Sequence, residues 1–153
     1  LFAASASIGA TLAGTTHNLI EKLRTTMMYA GIAFQIRDDV LGLIGDESVL
    51  GKPVYSDLRE GKMTILVIHA LNKLSDSEKT KLRFVLGNRA ATQQELKEAA
   101  KLIKSVGAVE YAYSLADHYA SKAISALNEI KPHDDEAYKM LRDVVEFMVK
   151  RNY

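Results

Sequence analysis

Phe34-Gln35-Ile36-Arg37-Asp38-Asp39-Val40-Leu41-Gly42-Leu43-Ile44-Gly45-Asp46, followed by Gly51-Lys52-Pro53, Ser56-Asp57 and Gly61-Lys62-Met63-Thr64, is the chemically densest run of the chain. Read as a helix, its first part puts Gln35, Asp38, Asp39 and Gly42 at three- and four-residue spacings on one face, and Ile32, Ile36, Val40 and Leu43 on another. The acid pair is thus carried on a helix whose back is apolar. No basic residue stands three or four positions after either Asp, so the two carboxylates repel and call for a countercharge from outside the helix. A divalent cation meets that need. Mg²⁺ takes hard oxygen ligands, keeps several waters and bridges one or two carboxylates to phosphate groups. Lys52 and Lys62, in the glycine-punctuated segment that follows, supply charge for the remaining phosphate oxygens. Acids and lysines around one pocket point to a metal-bound phosphate or diphosphate ester, whereas an Asp-Asp pair alone reads more simply as a solvated helix face.

This run resembles the second aspartate-rich region of the trans-isoprenyl diphosphate synthases, the farnesyl and geranylgeranyl diphosphate synthase family. The pattern there is Phe-Gln-x-x-Asp-Asp-x-x-Asp, then Gly-Lys, an Asp, and Gly-Lys-x-Thr. Phe34, Gln35, Asp38, Asp39, Gly51, Lys52, Asp57, Gly61, Lys62 and Thr64 match it in order. One position departs: Gly42 stands where many members carry the last acid of the motif. Asp46, one further turn along the same face, is placed to reach a metal through water. The small-residue opening Leu1-Phe2-Ala3-Ala4-Ser5 also resembles the family's helix just upstream.

The resemblance implies an all-α fold, an antiparallel helical bundle forming the C-terminal part of an isoprenoid-synthase fold. Because the chain opens in mid-pattern for a helix and without Met, residues 1–153 are expected to be the C-terminal part of one all-helical prenyltransferase domain. The first aspartate-rich motif is expected upstream. The implied reaction is Mg²⁺-dependent condensation of isopentenyl diphosphate with an allylic diphosphate. Asp38, Asp39 and Asp46 are implied for the metal; Asp38, Asp39, Lys52 and Lys62 for catalysis; and Gln35, Lys52, Lys62, Asp57 and Arg151 for substrate. Arg151 belongs to the basic terminus Lys150-Arg151-Asn152-Tyr153, which folds over the diphosphate in this reading and simply frays in the plainer one. A homo-oligomer is implied as well. The alternative within the same fold is a non-catalytic regulatory subunit or paralogue.

Composition fits. The 153 residues are 48% hydrophobic and 25% charged, enough apolar chain for one core. Twenty basic against 19 acidic residues give +1, with no polybasic field for nucleic acid. No cysteine is present, which excludes disulfides and thiolate metal sites and suits a reducing, cytoplasmic location. No stretch approaches the roughly 20 apolar residues of a membrane span, so no stable membrane insertion is expected. A carboxylate-bridged di-iron bundle would need Glu-x-x-His pairs. The residues three before His17, His69, His118 and His133 are Gly14, Leu66, Leu115 and Ile130.

The periodicity predicts six or seven antiparallel helices and no strand. A small-residue helix occupies residues 1–14. A long one starts at Thr16 or Asn18 and ends near Ile44, with Gly31 reserved for close packing. Residues 45–61 read as loop. A helix from Lys62 to Leu74 carries Ile65, Ile68, His69 and Asn72 on one side, His69 being read as packed rather than catalytic. Ser75-Asp76-Ser77-Glu78 and Thr92-Gln93-Gln94-Glu95 are capping-box signals for two more helices. Ala108 to Ile130 forms the next, closed by Pro132. The last begins at Asp134 and carries Ala137, Leu141, Val144 and Met148. His133-Asp134-Asp135-Glu136 reads as a cap with favourable helix-dipole charge, not a second metal site.

Overall fold

The computed structural model describes residues 1–45 and 53–150. Eight helices and no strand occur among them: α1 (Phe2–Leu12), α2 (His17–Ile44), α3 (Ser56–Glu60), α4 (Ile65–Lys73), α5 (Asp76–Val85), α6 (Gln93–Ser105), α7 (Ala108–Asn128) and α8 (Asp135–Val149). The all-α expectation is met. The described chain divides into two compact units, one of residues 1–35 and 115–150, the other of residues 36–114. Among the described residues no helix is long and apolar enough to cross a membrane.

In the first unit the start of α2 follows Thr16, whose Oγ1 accepts the Leu19 N–H at 3.4 Å. Small side chains let the elements approach: Ala30, Ala33 and Ala123 are fully buried with Met27, Leu127, Val145 and Met148. Gly31 has the packing role its sequence position suggested, since a Cβ there would lie 2.9 Å from the Phe2 ring. That ring meets Phe34 edge-on, with centroids 5.4 Å apart. Asp134 caps α8 by accepting the Ala137 N–H at 2.9 Å, with Asp135 and Glu136 in the first turn. The buried face of α8 differs from the expected one. Val145, Met148 and Val149 are inside, while Val144 is 50% exposed. Adjacent valines lie about 100° apart on a helix, and packing, not periodicity, selected the second.

In the second unit α6 packs against α4 and α5. Leu66, Leu82, Leu96 and Ile103 are almost wholly buried, each worth about 1.5–3 kcal/mol of apolar transfer. Both capping boxes are present. Thr92 Oγ1 accepts the Glu95 N–H at 3.3 Å, and the Glu95 carboxylate accepts the Thr92 N–H at 2.7 Å; Ser75 and Glu78 do the same for α5. The helix expected from Lys62 begins later, after its cap Thr64, whose hydroxyl accepts the Val67 N–H. It buries Leu66, Val67 and Ala70, leaving Ile68 42% exposed. His69 is half-buried and stacks on Tyr111 at 4.3 Å. The expected loop is interrupted by α3, too short for any periodicity to reveal.

The Thr92 cap yields a stability test. Hydrogen bonds from the Thr92 backbone and then its hydroxyl hold the Glu95 carboxyl below the usual carboxylate range. A depressed carboxylate contributes stability above its unfolded pKa and loses it as pH falls through the lower folded value. Thr92→Ala should lower the unfolding free energy by about 1 kcal/mol near neutrality. Urea titrations at about pH 7 and about pH 3 should show that deficit shrinking in acid.

Candidate active site

The last turns of α2 carry the acids as the spacing predicts. Ile36, Val40 and Leu43 are buried at 7%, 0% and 5% exposure, while Gln35 is exposed and Asp38 and Asp39 are half-buried. Burial on one side of the helix fixes the rotation of the other. Between them Arg37 is itself buried, its guanidinium carbon 5.9 Å from the Tyr113 ring centroid. Asp46, Lys52 and Arg151 lie outside the described residues.

The chain returns to α2 at Tyr55. Its N–H donates to the Gly42 carbonyl at 2.9 Å, and its φ of 67° is a left-handed conformation that a bulky residue rarely adopts. That turn launches α3, on which Asp57 is buried at 8% exposure. Lys62 Nζ donates to Asp57 Oδ1 at 2.7 Å and lies 3.1 Å from Glu60 Oε2. The Lys62 N–H also donates to the Asp57 carbonyl at 2.9 Å. The lysine therefore leaves α3 in a fixed direction with its side chain 55% exposed. Hydrogen bonds to Asp57 and then Glu60 raise its pKa well above the ordinary lysine value, so it is charged throughout the neutral range.

The turn after α5 fixes this segment from the other side. The Gly87 N–H donates to the Leu58 carbonyl at 3.0 Å. Gly61 closes α3 at φ 74°, and a Cβ there would lie 3.0 Å from the Gly87 Cα. Only glycine suits both conditions. Gly61→Ala should cost at least about 1–2 kcal/mol from the left-handed backbone alone, read as a lower urea midpoint.

Sequence reasoning singled out Asp57 and Lys62 but missed Glu60 as a second acid beside the lysine, the Tyr55 anchor, and the contact between Asp57 and position 42. The signal for the pair was available in Asp57-x-x-x-Gly61-Lys62, a short turn returning on itself. Nothing in the sequence marked Tyr55.

The donor chemistry suits Mg²⁺ in a particular way. Asp38 and Asp39 offer hard carboxylate oxygens, yet among the described residues no three His, Cys, Asp or Glu side chains come together to hold a metal. Two carboxylates short of a full cage fit an ion that retains waters and shares its coordination with substrate phosphates. Neither the groove of about 410 Å³ beside Tyr29 and Lys122 nor that of about 440 Å³ beside Phe84 and Leu102 is lined by Gln35, Asp38, Asp39, Asp57 or Lys62.

Residues 1–103 match the family model described as polyprenyl synthetase. The chain belongs to this family. Over 151 residues it is 45% identical to the geranylgeranyl diphosphate synthase of Sulfolobus acidocaldarius, a match covering 99% of this chain and 46% of that protein. Among solved structures, the geranylgeranyl pyrophosphate synthetase of Pyrococcus horikoshii aligns over 99% of this chain and 45% of its own, with a TM-score of 0.83 and 36% identity. The geranylgeranyl pyrophosphate synthase of Corynebacterium glutamicum, solved with isoprenyl diphosphate and magnesium, covers 94% of this chain and 41% of its own at a TM-score of 0.85 and 31% identity. This polyprenyl synthetase chain thus spans about half the length of the curated relatives it matches, 46% in the first case.

Proposed function

We propose that this chain supplies the second aspartate-rich wall of an Mg²⁺-dependent prenyltransferase that condenses isopentenyl diphosphate with an allylic diphosphate. The observation that carries the reading is the half-buried Asp38-Asp39 pair on one face of α2, with Lys62 held by Asp57 on the segment pinned to that helix. The Corynebacterium relative's complex with magnesium and isoprenyl diphosphate supports the same substrate class.

In the reaction the allylic C–O bond breaks heterolytically, the diphosphate leaves with the electron pair, and the isopentenyl double bond attacks the allylic cation before a proton is lost. No protein nucleophile is required; the barrier is charge separation, lowered by groups already aimed at the departing charge. When bound, Mg²⁺ supplies Lewis-acid neutralisation of the diphosphate oxygens. Asp38 and Asp39 would hold it, with Asp46 reaching it through water and Gln35 orienting the site. Lys62 and Lys52 would bind the allylic diphosphate, and Arg151 would fold over it. Asp57 and Glu60 keep Lys62 charged and directed. The apolar tail would lie between helices, in a pocket whose depth sets product length. The active protein is a homo-oligomer in this reading.

The direct test is calorimetric titration of the chain with inorganic diphosphate, with and without Mg²⁺. Weak binding that appears only with the metal is expected; equal binding in a chelator would overturn the assignment. Lys62→Gln should weaken the Mg²⁺-dependent binding by roughly tenfold, the worth of a hydrogen bond to a charged group. An unchanged affinity would return Lys62 to the role of a solubilising side chain.

A further inference from the structure

Gly42 departs from the family pattern by lacking the last acid of the motif, and its surroundings say what stands there instead. A Cβ built on Gly42 would lie 3.1 Å from Asp57 Oδ2 and 3.9 Å from the carboxylate carbon. Among the described residues, and apart from the backbone of α2 itself, no other atom lies within 4 Å of it. The carboxylate of Asp57 therefore occupies the space that a side chain at 42 would claim, on the same α2 face as Asp38.

Asp57 has little freedom to withdraw. Its side chain is 11% exposed, and its other oxygen accepts from Lys62 at 2.7 Å. The backbone around it is tied to α2 by the Tyr55 N–H on the Gly42 carbonyl at 2.9 Å, and to the turn after α5 by the Gly87 N–H on the Leu58 carbonyl at 3.0 Å. A 3.1 Å approach from a new Cβ is shorter than an ordinary van der Waals contact, so the carboxylate must give way. An acid at 42 would add a second negative charge beside Asp57 and another one helical turn after Asp38, where like charges repel. It would also compete for Lys62.

We propose that Gly42 is a positioning residue: the missing side chain admits the Asp57 carboxylate against α2, that carboxylate aims Lys62, and restoring the motif's acid at 42 weakens the site instead of completing it. The inference rests on the function proposed above only for what Lys62 binds; the positioning itself is a property of this chain.

The test separates the two. Lysines of the 153-residue chain are reductively methylated with an isotope label and titrated by NMR, with Lys62→Arg identifying the Lys62 signal; Mg²⁺-dependent binding of inorganic diphosphate is measured in parallel. In the native chain Lys62 should titrate above the other lysines. Asp57→Asn should bring it down toward them, and both Asp57→Asn and Gly42→Asp should weaken diphosphate binding by roughly tenfold. Gly42→Ala should move it a smaller distance in the same direction. Gly9→Ala, at a glycine where no atom of the described residues lies within 4 Å of an added Cβ, should move neither. A helix that merely lost stability would lower the unfolding midpoint without displacing the Lys62 titration. An unmoved Lys62 in Gly42→Ala and Asp57→Asn, or tighter diphosphate binding in Gly42→Asp, would overturn the proposal. Should Gly42→Asp fail to fold, the other two variants decide it. A Lys62 shift as expected in a chain that binds no diphosphate would uphold the positioning role and refute the functional reading instead.

Discussion

Asp38→Asn and Asp39→Asn together should reduce condensation by about 10²–10³-fold or more while leaving the fold intact. Asn has the size of Asp and removes only the charge, and both positions are half-buried on a helix whose apolar face holds it independently. The effect must appear in the chemistry, because groups that act on charge developing in the transition state change turnover. The assay requires an active protein, so the chain is joined to the unmatched part of the Sulfolobus acidocaldarius relative and the hybrid compared with its doubly substituted form. Asp134→Asn with Asp135→Asn is the matched control. Asn still caps α8 in place of the Asp134 carboxylate that accepts from Ala137, so activity should hardly change. A loss of only a few-fold from the Asp38 and Asp39 changes would count against their assignment to the metal.

How much of this was legible beforehand depends on the scale of the feature. Helical class, the long acid-bearing helix and the capped starts of α5, α6 and α8 were readable because each rests on local rules, a period of 3.6 or a side chain three residues from the group it satisfies. The faces chosen by α4 and α8 were not. Ile65-Leu66-Val67-Ile68 is apolar all round, so only the neighbouring helices decide that Leu66 and Val67 go inward and Ile68 stays out. In α8 the same ambiguity separates Val144 from Val145. The five residues of α3 fall below the length at which periodicity exists.

The candidate site shows the same division more sharply. Residue types at Asp38, Asp39, Asp57 and Lys62 were visible as chemistry, and their order carried the resemblance. Their geometry was not, because it depends on contacts between distant segments: Tyr55 on the Gly42 carbonyl, Gly87 on the Leu58 carbonyl, and the close approach of Gly61 to Gly87. Gly42 illustrates the cost of reading positions singly. In the sequence it is an acid missing from a motif; in the fold it is the space that a different acid fills. Spacing within one helix gives no sign of an intruder from a later turn.

The 153-residue chain by itself should give no prenyl product. Ionising an allylic diphosphate requires the departing charge to be stabilised more strongly in the transition state than in the ground state, which in the proposed function is the work of metal ions clamped between two acidic walls. In the function proposed above this chain supplies one such wall, and no three metal-ligating side chains converge among its described residues. In that reading Asp38 and Asp39 would hold Mg²⁺ shared with the substrate, while the second set of carboxylates that completes the clamp would come from outside this chain. Diphosphate affinity without turnover is the expected combination. Incubation with Mg²⁺, isopentenyl diphosphate and dimethylallyl, geranyl or farnesyl diphosphate should leave the substrates unextended, and addition of the separately made unmatched part of the Sulfolobus relative should restore elongation. Steady product formation by the pure chain would show that a single wall suffices and would remove the reason for assigning Asp38 and Asp39 to half of a clamp.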